Sequence, residues 1–168
     1  MTKIIPLLLA MFFAVNVSGA DQIPDCLENG KPIAVDNERV LSFKDTTQTG
    51  FLARAHVYGP IKRVFDERSS HARFEIVLGP EADDMLEVVY NKGFGALPAL
   101  RSGMNVETCG DFINSEKQNG PYPPSPSGAI IHWVHKSNNP KKHASGYVVI
   151  DGKLFGMGHA RGHGRIHK

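Results

Sequence analysis

The chain has 168 residues, 41% of them hydrophobic and 21% charged, with a formal net charge of +2. Once an N-terminal leader is set aside, that is enough for one packed domain and too little for two. A disordered polyelectrolyte and a bundle of membrane helices are both excluded by this balance. The small net charge conceals a division: Asp21 to His135 carries 11 Lys and Arg against 16 Asp and Glu, and Lys136 to Lys168 carries 7 against 1. A basic, His-rich C-terminal fifth on a mildly acidic body suits anions or simple solubility.

Residues 1–20 open with Lys3, run apolar from Ile4 to Val15 and end Ser18-Gly19-Ala20. This is the pattern of a cleaved secretory signal peptide, with a core shorter than the roughly 20 apolar residues of a membrane span. The chain is therefore expected to be exported, periplasmic or secreted, with no membrane span after cleavage. An oxidising compartment and an even cysteine count predict a Cys26–Cys109 disulfide, and no Cys-x-x-Cys points to cysteine ligation of a metal.

Residues 21–50 read as an N-terminal arm broken by Pro24, Pro32 and Asn29-Gly30. Within it Val35 to Phe43 fits a short helix or a strand, and Thr46 to Gly50 reads as a polar linker. The main domain, 51–157, begins with alternation over Phe51 to Tyr58, resumes after Gly59-Pro60 at Ile61 to Phe65, and turns through Asp66 to Ser70. His71 to Leu78 alternates again, with Ala72, Phe74, Ile76 and Leu78 on one face, and completes a hairpin. Met85 to Tyr90 is a third strand, and Asn91 to Gly95 is a close-packed turn. Leu97 to Val106 suggests a helical turn leading into a strand over Asn105 to Ile113. The proline-rich Asn119 to Ser127 is extended, either as a surface loop or as a ligand for a groove. A strand over Ala129 to His135 comes next. Gly146 to Ile150 and Lys153 to Met157 form a hairpin across Asp151-Gly152, a pair suited to the positive φ values of a type I′ turn. Many short strands with few helix signals predict an all-β fold, a small closed or partly open antiparallel barrel. The tail, 158–168, lacks apolar periodicity and is expected to be mobile; its His159, His163 and His167 recur every fourth residue.

Candidate chemistry gathers at the late histidines. His132 and His135 stand three apart, which places them on opposite faces of a regular strand. They converge only if a bulge or strand end intervenes, and otherwise His135 pairs with His143 across the Lys136 to Lys142 loop. A metal site, for zinc or another divalent ion, would draw on His71, His132, His135 and His143. A catalytic version would draw on Asp66, His71, Arg73, His135 and His143, with metal-activated water, a His base and Arg73 stabilising an anion. Asn91 and Trp133 are candidate ligand-binding residues. The alternative is structural, with the rings hydrogen-bonded beside Trp133.

The block His132-Trp133-Val134-His135, with His143, Gly146-Tyr147, Asp66, His71-Ala72-Arg73-Phe74 and Asn91, resembles a small family of exported bacterial domains of unknown function. That family carries a late His-Trp-Thr-His block, and Val134 stands where it has Thr. The resemblance covers about Gly50 to Gly156. It implies a barrel similar to an oligonucleotide/oligosaccharide-binding fold and no particular activity. Three functions are expected in turn: binding of a metal ion or small anionic ligand, metal-assisted phosphodiester cleavage as a phosphodiesterase or nuclease, and nucleic-acid binding without chemistry. Oligomeric state is left open.

Overall fold

The structure is a computed structural model that describes residues 22–66 and 70–158. The expected signal peptide and the tail histidines His159, His163 and His167 lie outside the described residues. Two short strands, β1 (Leu27–Glu28) and β2 (Lys31–Pro32), precede a helix, α1 (Asn37–Thr46). Seven further strands succeed it: β3 (Leu52–Val64), β4 (His71–Val77), β5 (Met85–Asn91), β6 (Asn105–Asn114), β7 (Ala129–His132), β8 (Tyr147–Ile150) and β9 (Lys153–Phe155), with a 3-10 turn at Lys92–Phe94.

Five of these close into a barrel. The hydrogen-bonded order is β3-β4-β5-β7-β6, and β6 returns to β3 over nine residue pairs from Leu52↔Ile113 to Pro60↔Asn105. All neighbours are antiparallel except β5 and β7, which pair in parallel through Glu87↔Ile130 and Val88↔Ile131. This is a small Greek-key barrel, similar to the oligonucleotide/oligosaccharide-binding arrangement. The free edge of β6 is shared, β7 taking its C-terminal half and β8 its N-terminal half. The β8–β9 ribbon turns at Asp151 and Gly152, with φ of 46° and 81°, as the Asp-Gly pair predicts.

Period-two alternation fills the barrel. Phe74, Ile76, Leu86, Val88, Tyr90, Val106, Phe112 and Ile131 are fully enclosed, and the predicted inner face of β4 is the buried one. Helix α1 plugs one end. Asp36 caps it by accepting from Arg39 N at 2.9 Å, Val40 enters the core, and Phe43 meets Phe51 and Phe112 at 5.4 and 5.6 Å between ring centroids. The arm is thus part of the barrel's packing, and the linker expected at Thr46 begins one residue later, after the helix. Leu97 to Met104 holds no helical turn; the chain there is irregular up to the start of β6, with Gly103 at φ 87°.

Outside β6 a second small core forms around the Cys26–Cys109 disulfide with Tyr147, Val149, Ile33 and Leu154. Arg54 lies buried beneath the arm. Its guanidinium donates to Leu27 O (3.0 Å), Asp111 Oδ1 (2.9 Å), Cys109 Sγ (2.9 Å) and the carbonyl of Ser145. His56 fastens the same region, with Nδ1 donating to Ile33 O and Nε2 facing Glu107 Oε1, both at 2.9 Å. No helix among the described residues is long and apolar enough to cross a membrane.

Candidate functional site: a histidine and tryptophan cluster at the open barrel end

Because β4 begins, and β5 and β7 end, opposite the helical plug, their terminal residues meet at the open end of the barrel. His71 opens β4 and pairs with Asn91, the last residue of β5, while His132 closes β7. The rings of His71 and His132 stand 5.8 Å apart between centroids. Trp133 comes next, in the left-handed region at φ 52°, a conformation that costs a bulky side chain energy and ends the strand. The expected strand to His135 therefore stops at His132. That break cancels the opposite-face rule: Trp133 lies 5.1 Å from His132 and stacks on His143 at 5.4 Å and 15°, and His143 meets His135 edge-on at 5.4 Å. Phe94 stacks on the other side of His135 at 3.7 Å. All four predicted histidines thus join one continuous group of rings.

The backbone holds these rings closely. A Cβ at Gly146 would stand 2.4 Å from Trp133 O and 2.2 Å from Cys109 O, so only glycine fits where β8 enters behind the cluster. Asn91 serves a turn: its Oδ1 accepts from Gly93 N at 2.9 Å and caps the 3-10 turn that presents Phe94 to His135. Gly146 N in turn donates to His135 O at 2.8 Å.

The cluster is electrically unusual. Burial, and then the neighbouring His71, His135 and His143, push His132 down to about 4 from 6.5. Burial foremost, with Lys92, lowers His71; burial also lowers His135, partly offset by the carbonyl of Lys136. Two of the rings have a fixed proton. Nδ1 of His135 meets Lys136 O at 2.9 Å and Nδ1 of His143 meets Ala144 O at 3.0 Å. A carbonyl only accepts, so each Nδ1 donates, and the lone pair of such a tautomer is on Nε2. A backbone carbonyl on the far nitrogen is the support that metal-binding histidines commonly have. Two imidazoles on one tetrahedral ion, at about 2.0–2.1 Å per bond, put their centroids roughly 5.3 Å apart. The His135–His143 separation of 5.4 Å matches this. Among the described residues, no group of three His, Cys, Asp or Glu side chains is placed to hold one ion.

The remaining candidates stand differently. Arg73 is committed to Glu87, Nε to Oε1 at 2.5 Å, which neutralises the group expected to stabilise an anion. Asp66 is exposed and makes no hydrogen bond or ion pair with any described residue of the cluster. Sequence reasoning missed Glu75 and Glu87, which face each other across β4 and β5 and are buried. Ser127 Oγ donates to Glu75 at 2.8 Å and Ser125 Oγ to Glu87 at 2.7 Å, so the proline-rich loop is buttoned over the barrel wall. Alternation puts both acids on a solvent face, and nothing local signals the lid. No protein-family model, curated protein or solved structure matches this chain.

The depressed His132 sets a pH dependence of stability. Between about 4 and 6.5 the unfolded chain binds a proton at this position that the folded chain refuses. Stability is therefore complete above pH 6.5 and falls as pH drops toward 4, by about 3 kcal/mol in full. Urea unfolding of chelator-treated protein at pH 7 and pH 4.5 should show the loss. His132→Gln should flatten it, and an unchanged slope in that variant would assign the acid sensitivity elsewhere.

Proposed function

We propose that this chain is an exported, non-catalytic β-barrel module that binds a divalent transition metal ion, zinc or one of its neighbours, through the histidine cluster. The observation that carries the reading is the paired fixing of His135 and His143: each donates Nδ1–H to a backbone carbonyl, which leaves Nε2 as the acceptor, and the two ring centroids stand 5.4 Å apart. Imidazole nitrogens whose far N–H is held by a backbone carbonyl suit borderline cations, which favours the metal over the anion. The Cys26–Cys109 disulfide is in keeping with an oxidising, extracytoplasmic setting.

Metal-assisted phosphodiester cleavage draws less support, with Arg73 neutralised and Asp66 apart from the rings. Nucleic-acid binding is favoured by one feature, the Trp133–His143 stack beside exposed Lys136, Lys141 and Lys142. Calorimetric titration of the metal-free protein with Zn²⁺ tests the main reading. One ion per chain is expected, with affinity reduced at least tenfold at pH 7 by His135→Ala and again by His143→Ala. Full affinity in the double variant would reject it. Salt-sensitive binding of single-stranded DNA by the zinc-free protein would move the assignment to nucleic acid.

A further inference from the structure

One guanidinium touches both the disulfide and the loop that carries the candidate ligands. Arg54 is buried on β3, and its Nε donates to Leu27 O of the arm at 3.0 Å while Nη1 donates to Asp111 Oδ1 at 2.9 Å. Its Nη2 donates twice, to Cys109 Sγ at 2.9 Å and to the carbonyl of Ser145. Cys109 and Ser145 therefore share one nitrogen.

Ser145 closes the base of the loop. Its Oγ accepts from Ser137 N at 3.0 Å, and Gly146 N donates to His135 O at 2.8 Å, so residues 136–145 leave and re-enter the barrel at a pinned neck. His135 precedes the loop and His143 lies near its end. The backbone of Cys109 presses on the same neck, since a Cβ on Gly146 would stand 2.2 Å from Cys109 O and 2.4 Å from Trp133 O. A movement at Cys109 meets little slack before it reaches the rings.

The other sulfur belongs to the arm. Cys26 and Cys109 are 1% and 0% exposed, so a reductant reaches them when the arm opens locally. Strands β1 and β2 form a sheet of their own, and lifting them leaves the barrel closed. Cys26 Sγ is then the sulfur open to attack. Cys109 Sγ is the better leaving group, because the guanidinium against it stabilises a thiolate.

We propose that the Cys26–Cys109 disulfide is a redox switch on the histidine site, transmitted by Arg54: reduction draws the guanidinium onto the Cys109 thiolate, releases the Ser145 carbonyl and weakens metal binding. The proposal rests on the metal-binding reading above and adds its regulation. The reductant is a dithiol. Its first thiolate bonds Cys26 Sγ, the Sγ–Sγ bond breaks, and the electron pair leaves on Cys109; its second thiol displaces Cys26, and the reductant departs as a disulfide. Two electrons pass to the protein, one proton goes to Cys26 and the other to solvent. Asp111 and the new thiolate then hold Nη1 and Nη2, and the neutral carbonyls of Leu27 and Ser145 give way. Linkage makes the effect reciprocal: a tenfold loss of Zn²⁺ affinity on reduction means that saturating Zn²⁺ lowers the reduction potential by about 30 mV.

The test titrates Zn²⁺ alone into the metal-free full chain, oxidised and after reduction with a phosphine, since thiol reductants themselves take zinc. The same pair of titrations is run on Arg54→Met/Asp111→Leu, at a temperature where circular dichroism shows each form folded. Arg54→Lys replaces the double variant if that fails to fold, because an ammonium lacks the fork that joins Cys109 to Ser145. The natural chain should bind one ion in both forms, about tenfold more weakly when reduced, and the variant should bind equally in both. Equal or tighter binding by the reduced natural chain overturns the switch and leaves the metal site standing. A tenfold loss that persists in the variant also overturns it, since the cross-link then acts without Arg54. A second ion in the reduced chain assigns zinc to the freed thiols and counts against it as well, as does a reduced chain that is unfolded at every temperature. Absence of Zn²⁺ binding by the oxidised natural chain sinks the metal reading and the switch together.

Discussion

Replacing Cys26 and Cys109 together by alanine is expected to lower the stability by about 4–5 kcal/mol. The two residues are 83 apart in sequence, and a loop of that length restricts the unfolded chain strongly. A change of this size is a large share of the roughly 5–15 kcal/mol that holds a domain folded. The folded state should keep its shape, because the arm has other holds: Ile33 N donates to Cys26 O, His56 bonds Ile33 O, Arg39 pairs with Glu28 at 2.8 Å, and Val40 is in the core. Urea denaturation should therefore show a lower midpoint, with near-native circular dichroism before the transition. A loss below about 1 kcal/mol would mean that the unfolded chain is already confined near this pairing, and the cross-link's effect would have to be sought there.

Arg54→Met is expected to cost a further class of energy, about 3–5 kcal/mol, by leaving Asp111 buried without its cation. Arg54 and Asp111 are 7% and 8% exposed, so water cannot replace the lost partner. The double variant Arg54→Met/Asp111→Leu should recover a substantial part, because the uncompensated charge goes with the acid. A double variant as unstable as the single one would show instead that the carbonyls of Leu27 and Ser145 need the guanidinium. The substitution also reaches the site. Ser145 lies two residues after His143, and its carbonyl is held by Arg54. Loosening it should weaken Zn²⁺ binding in the Arg54→Met protein at temperatures where the barrel is still folded.

The barrel was legible in the sequence where local rules agree with the final structure. Alternation in Ala72, Phe74, Ile76 and Leu78, the Asp151-Gly152 turn and the even cysteine count each led to the right element or bond. Residues Val35 to Phe43 read equally as helix or strand from apolar spacing. Asp36 as a cap with Glu38 in the first turn was the available signal for α1. The ring cluster was legible in the histidines that take part in it and not in what brings them together. That four histidines meet could be named as a possibility, but the reason they meet is the left-handed Trp133, a residue type that gives no advance notice of positive φ. Arg73 read as an available cation because its partner, Glu87, lies on the neighbouring strand and is buried by a loop. Such pairings are decided by tertiary contact, and spacing along the chain carries no trace of them.

The short outer ribbon has a consequence for how copies of this protein meet one another. Barrel closure pairs β3 with β6, and β9 is the terminal strand in the order of the seven-stranded sheet. It is three residues long, carries Lys153, and leads into Gly156, where the backbone turns to bond Lys136. A strand arriving from another molecule would find a template too short for a stable ladder and a positive charge at its start. Crowding should accordingly leave the chains unfused at this end of the main sheet, where an added strand finds little to pair with.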